Sequence, residues 1–226
     1  MDSLIPPSRA AFYVDGFNLY HAIDNLRQPH LKWLGLRRLA EIILIGRKSH
    51  LVRTAFFTAY FPGDGPKGER HRMYVRALRN QGVDVTFGQT MSYTAKCRIC
   101  SEEWRTQTEK ETDINMALAV YSDAVNNRYD DAYLITADTD QAATIKALKR
   151  DYPDKRVYIV PPPGRSDASL LEKICDGKVR IKEKHIDDAV MREMVPCPNG
   201  GPAAVMPLSY SPPAEWMHPD DRRSKG

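Results

Sequence analysis

The sequence predicts an α/β domain, a mostly parallel central sheet with helices on both faces, followed by an extended C-terminal tail. Two observations carry the prediction. Short apolar runs alternate with longer amphipathic stretches from residue 10 to residue 160, the rhythm of strands joined by crossover helices. The runs at 10–14 and 132–137 are apolar without alternation, as strands covered on both faces must be.

The elements follow in order. The first strand spans 10–14, and a helix follows at 36–45. Residues 51–60 are β-rich and end at the turn-forming loop Pro62-Gly63-Asp64-Gly65. On a helical wheel of 67–81, which Gly82 stops, Tyr74, Val75 and Leu78 share one side and Arg72, Arg76 and Arg79 another. Residues 83–87 form a third strand, after which an irregular stretch carries Cys97 and Cys100. The segment 113–126 is a strong helix, with Thr112 as its N-cap and Ile114, Leu118 and Tyr121 as its apolar stripe. The clearest buried strand is 132–137; 141–150 is helical, and 156–160 is the last strand before the loop PPPGRSD. From Pro196 onward there is no helical or strand periodicity, which predicts a tail that wraps the surface or is partly disordered. No internal repeat is visible.

Composition narrows the class. The chain has 226 residues, enough for one generous domain or two small ones. Hydrophobic residues at 42% and charged residues at 27% exclude a wholly disordered chain. No apolar run approaches the roughly 20 residues of a membrane helix, and the N-terminal residues lack the basic start and apolar stretch of a signal peptide. Four cysteines do not make a disulfide scaffold. The expectation is a soluble, cytoplasmic protein. The net charge of +4 leaves room for a local basic face without announcing one.

The chemistry begins where apolar runs meet acids. AFYV runs directly into Asp15-Gly16-Phe17-Asn18, and AYLITA into Asp138-Thr139-Asp140. In a parallel sheet these acids share the carboxyl edge, where open α/β folds place their ligands. If the two strands are neighbours, about 4.8 Å apart, the carboxylates converge. Asp113, in the first turn of its helix, can point to the same edge. Clustered carboxylates resist joint ionisation unless a cation compensates, and oxygen ligands suit Mg²⁺ or Mn²⁺. Each acid alone also has an ordinary role: Asp15-Gly16 as a turn, Asp113 as a helix-start acid, Asp138 and Asp140 as caps. It is their joint placement that favours a metal-dependent phosphodiesterase site, with Asn18 as a polar neighbour.

AFYVDGFNLYH, EKETDINMALAVYSDA, YDDAYLITADTDQAATIKALK and VYIVPPPGRSDASL together resemble successive blocks of the NYN domain, a PIN-like nuclease family, nearest its bacterial LabA-like branch. The resemblance implies a PIN-like three-layer fold over 9–190, with 91–108 as a cysteine-containing insertion and 191–226 as a Pro/Gly-rich tail. It implies an acidic cluster binding Mg²⁺ or Mn²⁺ and hydrolysis of RNA, with Asp15, Asp113, Asp138 and Asp140 as metal-site acids and Asn18 as their partner. Where the family commonly has Ser-Gly-Asp-Ser-Asp followed by Phe or Leu, this chain has Thr136-Ala137-Asp138-Thr139-Asp140 and then Gln141. The acids are retained, and the pose of Asp140 is the point the departure touches. Phosphatases of the haloacid dehalogenase type also place Asp-x-Asp after a buried strand. They do so on their first strand, however, and Asp15 here has no second acid two residues on.

Lys110, close before Asp113, and Arg165, after the last strand at the sheet edge where the acids gather, are the leading candidates for contact with the scissile phosphate, ahead of the Arg72, Arg76 and Arg79 stripe. Cys97 and Cys100 have the spacing of half a zinc site, and the resemblance, in which such a cysteine pair often sits between the third strand and the catalytic helix, implies a hairpin insertion. His71 or His185 could complete such a site, although no spacing demands it. Tyr93 and Trp104 near the cysteines offer stacking surfaces for bases. His21 is left outside the catalytic set. The reading is therefore a divalent-metal ribonuclease acting on single-stranded RNA, with DNA not excluded, no membrane partner, and a homodimer as candidate assembly. The alternative is a catalytically weak nucleic-acid-binding or regulatory module that keeps the same pocket.

Overall fold

The computed structural model describes residues 6–60, 65–165 and 169–223. The expected loop at 62–64 and the Ser166-Asp167 part of PPPGRSD lie outside the described residues. The first apolar run becomes β1 (Ser8–Asp15), with six of its eight residues buried. It is followed by α1 (Gly16–Asp24), α2 (Leu36–Leu44), β2 (Ser49–Ala59), α3 (Pro66–Asn80), β3 (Asp84–Lys96) and β4 (Glu103–Lys110). Then come α4 (Thr112–Val125), β5 (Asp131–Ile135), α5 (Ala142–Asp151), β6 (Arg156–Ile159), α6 (Ser169–Ile174), β7 (Gly177–Lys178) and α7 (Glu183–Asp187). The C-terminal region adds β8 (Met194–Val195), β9 (Ala204–Val205) and α8 (Pro219–Arg223). Among the described residues, no helix is long and apolar enough to cross a membrane.

Seven strands form one sheet in the order β4-β3-β2-β1-β5-β6-β7, with only β3 and β4 antiparallel. The centre of the sheet is β1, held in register between β2 and β5, and Val14 lies opposite both Phe56 and Ile135. Side chains alternate across a strand, so β1 feeds two cores. Phe12 and Val14 pack with Leu19, Leu39, Phe56 and Leu78 beneath α1, α2 and α3. Ala11 and Tyr13 pack with Met116, Val120, Ile145 and Leu148 beneath α4 and α5. An α/β fold with helices on both faces is thus what the sequence encodes.

Three local expectations are corrected. The segment around the cysteines is not irregular: β3 runs on to Lys96, turns back at the cysteines, and pairs residue by residue with β4 from Gln89↔Lys110 to Lys96↔Glu103. Its outer half is exposed on both faces, so it carries no hydrophobic alternation to read. Ile114 and Leu118 are not a buried stripe on α4, each being 62% exposed; Met116, Val120 and Ala124 face the core instead. Thr112 is the first helical residue rather than the cap. The preceding Glu111 takes the left-handed conformation at φ 74°, and the Thr112 amide donates to Glu109 Oε1 at 2.8 Å.

The C-terminal residues wrap the domain. Trp33, Ala77, Met191, Val195, Ala204 and Tyr210 form a third apolar cluster. The Trp33 indole donates to the Arg192 carbonyl at 2.9 Å, and the Trp216 indole to Asp187 Oδ1 at 2.6 Å.

Gly16 shows why a glycine follows the first aspartate. A Cβ there would lie 2.5 Å from the Phe57 carbonyl oxygen and 2.8 Å from Phe56 Cζ. The strand backbone cannot yield. Gly16→Ala is expected to cost about 1–3 kcal/mol, the usual range for overpacking, read as a lower urea midpoint with an unchanged slope.

Candidate active site

Because β1 and β5 pair in register, residues 15 and 136 leave the sheet side by side. Thr136 Oγ1 donates to Asp15 Oδ2 at 2.9 Å and accepts the Asp138 amide at 3.0 Å. Asp15 Oδ1 accepts the Asn18 amide at 2.9 Å, capping α1. One buried threonine therefore fixes the first and third acids relative to each other. Asp138 caps the one-turn 3₁₀ helix Thr139–Gln141 through the Asp140 amide at 2.9 Å. The structural roles weighed for Asp15 and Asp138 are thus present, and each carboxylate oxygen retains a further lone pair.

Asp113 enters from α4. Two side chains pin that helix end: Gln141 Nε2 donates to the Asp113 carbonyl at 3.2 Å, and Asn115 Nδ2 to the Phe87 carbonyl at 3.4 Å. Gln141, the departure from the family pattern, is buried and also accepts from Thr144 Oγ1 at 3.3 Å. It ties the Asp113 turn to the Asp138 turn, where an apolar residue could only pack.

The acids feel one another. Burial pushes the Asp113 carboxyl up to about 6, and the charges of Asp15, Asp138, Glu109 and Asp140 push in the same direction. Asp15 is also raised, chiefly by burial. Hydrogen bonds from Asn18 and Thr136 pull it back, and the charges of Asp138 and Glu109 add to the rise. Glu109 is a member of this group that the sequence reading missed. Because β4 runs antiparallel to β3, its last residues return to the carboxyl edge. The tight crossing there depends on Gly88, where a Cβ would lie 2.4 Å from the Lys110 carbonyl oxygen. The only sequence signal was the run of acids at Glu109, Glu111 and Asp113.

The other candidates are distributed unevenly. Lys110 ends β4 beside Glu109 and is exposed; Arg165 is exposed in the loop after β6, its amide donating to the Pro162 carbonyl at 3.1 Å. Arg72, Arg76 and Arg79 lie on α3, which packs on the face of the sheet opposite α4, and the Arg79 guanidinium sits 5.4 Å from the Phe87 ring centroid. Cys97 and Cys100 occupy the tip of the β3–β4 hairpin, far along the ribbon from the acids. The Ile99 and Cys100 amides approach Cys97 Sγ at 3.4 and 3.5 Å, and these contacts lower its thiol pKa.

Among the described residues, no three His, Cys, Asp or Glu side chains are gathered tightly enough to hold a metal ion as they stand. For the cysteine turn this leaves two ligands and no third. At the sheet edge the chemistry of the donors nonetheless fits a hard divalent cation. All the acids offer oxygen, their mutual repulsion calls for positive charge, and the buried Asn18 Oδ1 has no hydrogen-bond partner among the described residues.

With this geometry in view, the NYN domain model matches residues 9–181. The chain belongs to the NYN domain family. Among curated proteins it is 26% identical, over 198 residues, to 6-hydroxy-3-succinoylpyridine 3-monooxygenase HspA of Pseudomonas putida. That alignment covers 72% of this chain and 62% of the relative. Among solved structures it resembles a protein of unknown function from Vibrio parahaemolyticus, with a TM-score of 0.52 and 18% identity over 81% of this chain and 98% of that one. This second likeness establishes a shared fold alone.

The raised Asp113 carboxyl gives a stability prediction. Its folded pKa lies above the ordinary 3.8, so its contribution is fully present below about pH 4 and is lost as pH rises through about 6. In EDTA, Asp113→Asn is expected to gain about 1–2 kcal/mol on wild type at pH 8 relative to pH 4.5, discounted for a half-buried group. Urea unfolding at the two pH values measures the difference.

Proposed function

We propose that this NYN domain is a divalent-metal-dependent ribonuclease that hydrolyses phosphodiester bonds of single-stranded RNA at the carboxyl edge of its sheet. The observation that carries the reading is the placement of Asp15, Asp113 and Asp138 at that edge, where burial first, and then the charges of the neighbouring acids, push Asp113 up to about 6. Family membership supports nuclease chemistry on nucleic acid.

In this reading Asp15, Asp113 and Asp138 hold Mg²⁺ or Mn²⁺, with Asp140, Asn18 and Glu109 around them. The bound cation supplies a water of lowered pKa and positive charge against the phosphate oxygens. Thr136 holds the Asp15 carboxylate by a hydrogen bond, and Gln141 ties the backbone of the Asp113 turn to the Asp138 turn, so the carboxylates would need only to draw closer around the ion. Lys110 and Arg165 draw the flanking phosphates of the strand to the edge by charge. Cleavage leaves a 5′-phosphate and a 3′-hydroxyl.

End-labelled single-stranded RNA tests this. Wild type with Mn²⁺ is expected to shorten it, and EDTA to stop the reaction. Asp15→Asn and Asp138→Asn should each lower the rate by more than about 100-fold, beyond what loss of an outer partner costs, with thermal unfolding still cooperative. An undiminished Mn²⁺-dependent rate in the double variant overturns the assignment. RNA retarded on a gel but never shortened would favour the binding-module reading. The name of the Pseudomonas putida relative favours a different second reading, oxygenation of a pyridine compound. Turnover of 6-hydroxy-3-succinoylpyridine with an electron donor and air, alongside intact RNA, would support that one.

A further inference from the structure

On the opposite face of the sheet from Asp113, the fold leaves a cavity of about 490 Å³ between α1 and α3, closed on one side by Tyr210 from the C-terminal region. Its volume falls within the range of sites that take a whole small molecule, about 300–1,000 Å³. The walls are aromatic: Phe17, Tyr20, Phe56, Tyr60, Tyr74 and Tyr210 all line it. Several of these rings are held in place. Tyr60 stacks on Phe87 with centroids 4.3 Å apart and meets His71 edge-on at 5.6 Å, while the Tyr74 hydroxyl donates to the Leu34 carbonyl at 2.8 Å. Thr58 Oγ1 and His71 Nε2 lie 3.2 Å apart in the wall, a polar pair within an apolar lining. Burial holds His71 down to about 4, so it is a neutral imidazole there at neutral pH.

The charge is one-sided. Lys32 and Lys67 line the cavity, and among its described lining residues there is no Asp or Glu. Both ammonium groups flank the same ring: Lys32 Nζ is 5.6 Å and Lys67 Nζ 5.7 Å from the Tyr20 centroid, and Lys32 Nζ is also 5.9 Å from that of Tyr210. Lys32 also pairs with the exposed Asp24, outside the lining, which anchors it and offsets part of its charge. Ring faces favour a flat aromatic guest by stacking, and two ammonium groups over one tyrosine favour a negative charge beside it and repel a cation.

We infer that this cavity binds a small molecule with a planar aromatic ring and an anionic group attached to it directly or through a short linker, as found in a free aromatic carboxylic acid or in a nucleoside monophosphate. Occupancy does not require hydrolysis, because none of the acids at the carboxyl edge lines the cavity. The two places nonetheless share α1: Asp15 caps the helix, and Gly16 and Phe17, the next two residues, line the cavity.

Isothermal titration of the full chain in EDTA tests the inference, with uridine 5′-monophosphate, indole-3-carboxylate and octanoate as probes. Saturable binding of at least one aromatic anion is expected, tighter than octanoate. It should be weakened tenfold or more by Tyr20→Ala and by Lys67→Glu. Lys67 is exposed in the first turn of α3, where an acid suits the helix dipole, so the substitution leaves the fold intact. The nucleotide binding more tightly than the carboxylate, or the reverse, identifies the source of the anion. Octanoate binding as tightly as both, no binding by any probe, or binding that both cavity variants leave unaltered would overturn the inference. Because EDTA silences the proposed nuclease, none of these results depends on that reading.

Discussion

Everything at the carboxyl edge depends on β1 lying between β2 and β5. That pairing brings Asp15 and Thr136 out of the sheet together and lets one hydroxyl bind both the Asp15 carboxylate and the Asp138 amide. The acids are held partly buried and near one another, and burial first, then their mutual charge, raises the carboxyls of Asp15 and Asp113. Hydrogen bonds from Asn18 and Thr136 offset part of that cost at Asp15. The two apolar cores on either face of β1 carry the rest, since fully burying one large side chain stabilises by about 1.5–3 kcal/mol. The sheet is thus rigid where the acids need it to be, and the acids are a destabilising load that the cores carry.

The same strand divides its work between two faces. Even-numbered residues of β1 support the layer of α1, α2 and α3, where the aromatic cavity opens; odd-numbered residues support α4 and α5, which bring in Asp113 and Gln141. Gly16 stands at the junction. Its missing side chain lets α1 start against the Phe57 carbonyl, which sets both the capping pose of Asp15 and the position of Phe17 and Tyr20. The C-terminal region belongs to this arrangement, because Tyr210 is anchored in the Trp33 cluster and closes the cavity.

What could be read from the sequence follows from burial. Strands 10–14 and 132–137 were legible because both faces are covered, which forces continuous apolar runs. The outer β3–β4 ribbon was not, because solvent on both faces removes any need for alternation, leaving only Thr, Tyr and Trp as β-formers. On α4 a spacing of four picks out Ile114 and Leu118 as well as Met116, Val120 and Ala124, and periodicity cannot choose between two such faces. The choice is made by Tyr13 and Phe57, which the inner face packs against. Glu109 escaped for a topological reason: a hairpin was expected at the cysteines, but not its register, and it is the pairing of Gln89 with Lys110 that returns residue 109 to the edge where the other acids lie. Gln141 was read as a loss of packing, but its hydrogen bond to the Asp113 carbonyl links two of the turns that carry acids.

The two ends of β5 separate acids with basic partners from acids without them among the described residues. At its amino end, Asp130 pairs with Arg9 at 2.7 Å and Asp131 with Arg156 at 2.6 Å. Hydrogen bonding to Arg9 holds the Asp130 carboxyl down to about 2. At its carboxyl end, none of the ion pairs among the described residues involves Asp15, Asp113, Asp138 or Asp140. The chain has arginine and lysine to spare, with a net charge of +4, so a shortage of cations does not explain the contrast. Acids that serve only the fold gain from a fixed basic partner, whereas acids that must receive a mobile cation lose by having one, because the partner would compete for the same lone pairs. Leaving these four unpaired costs stability, and an exchangeable divalent ion is the kind of ligand that would recover it.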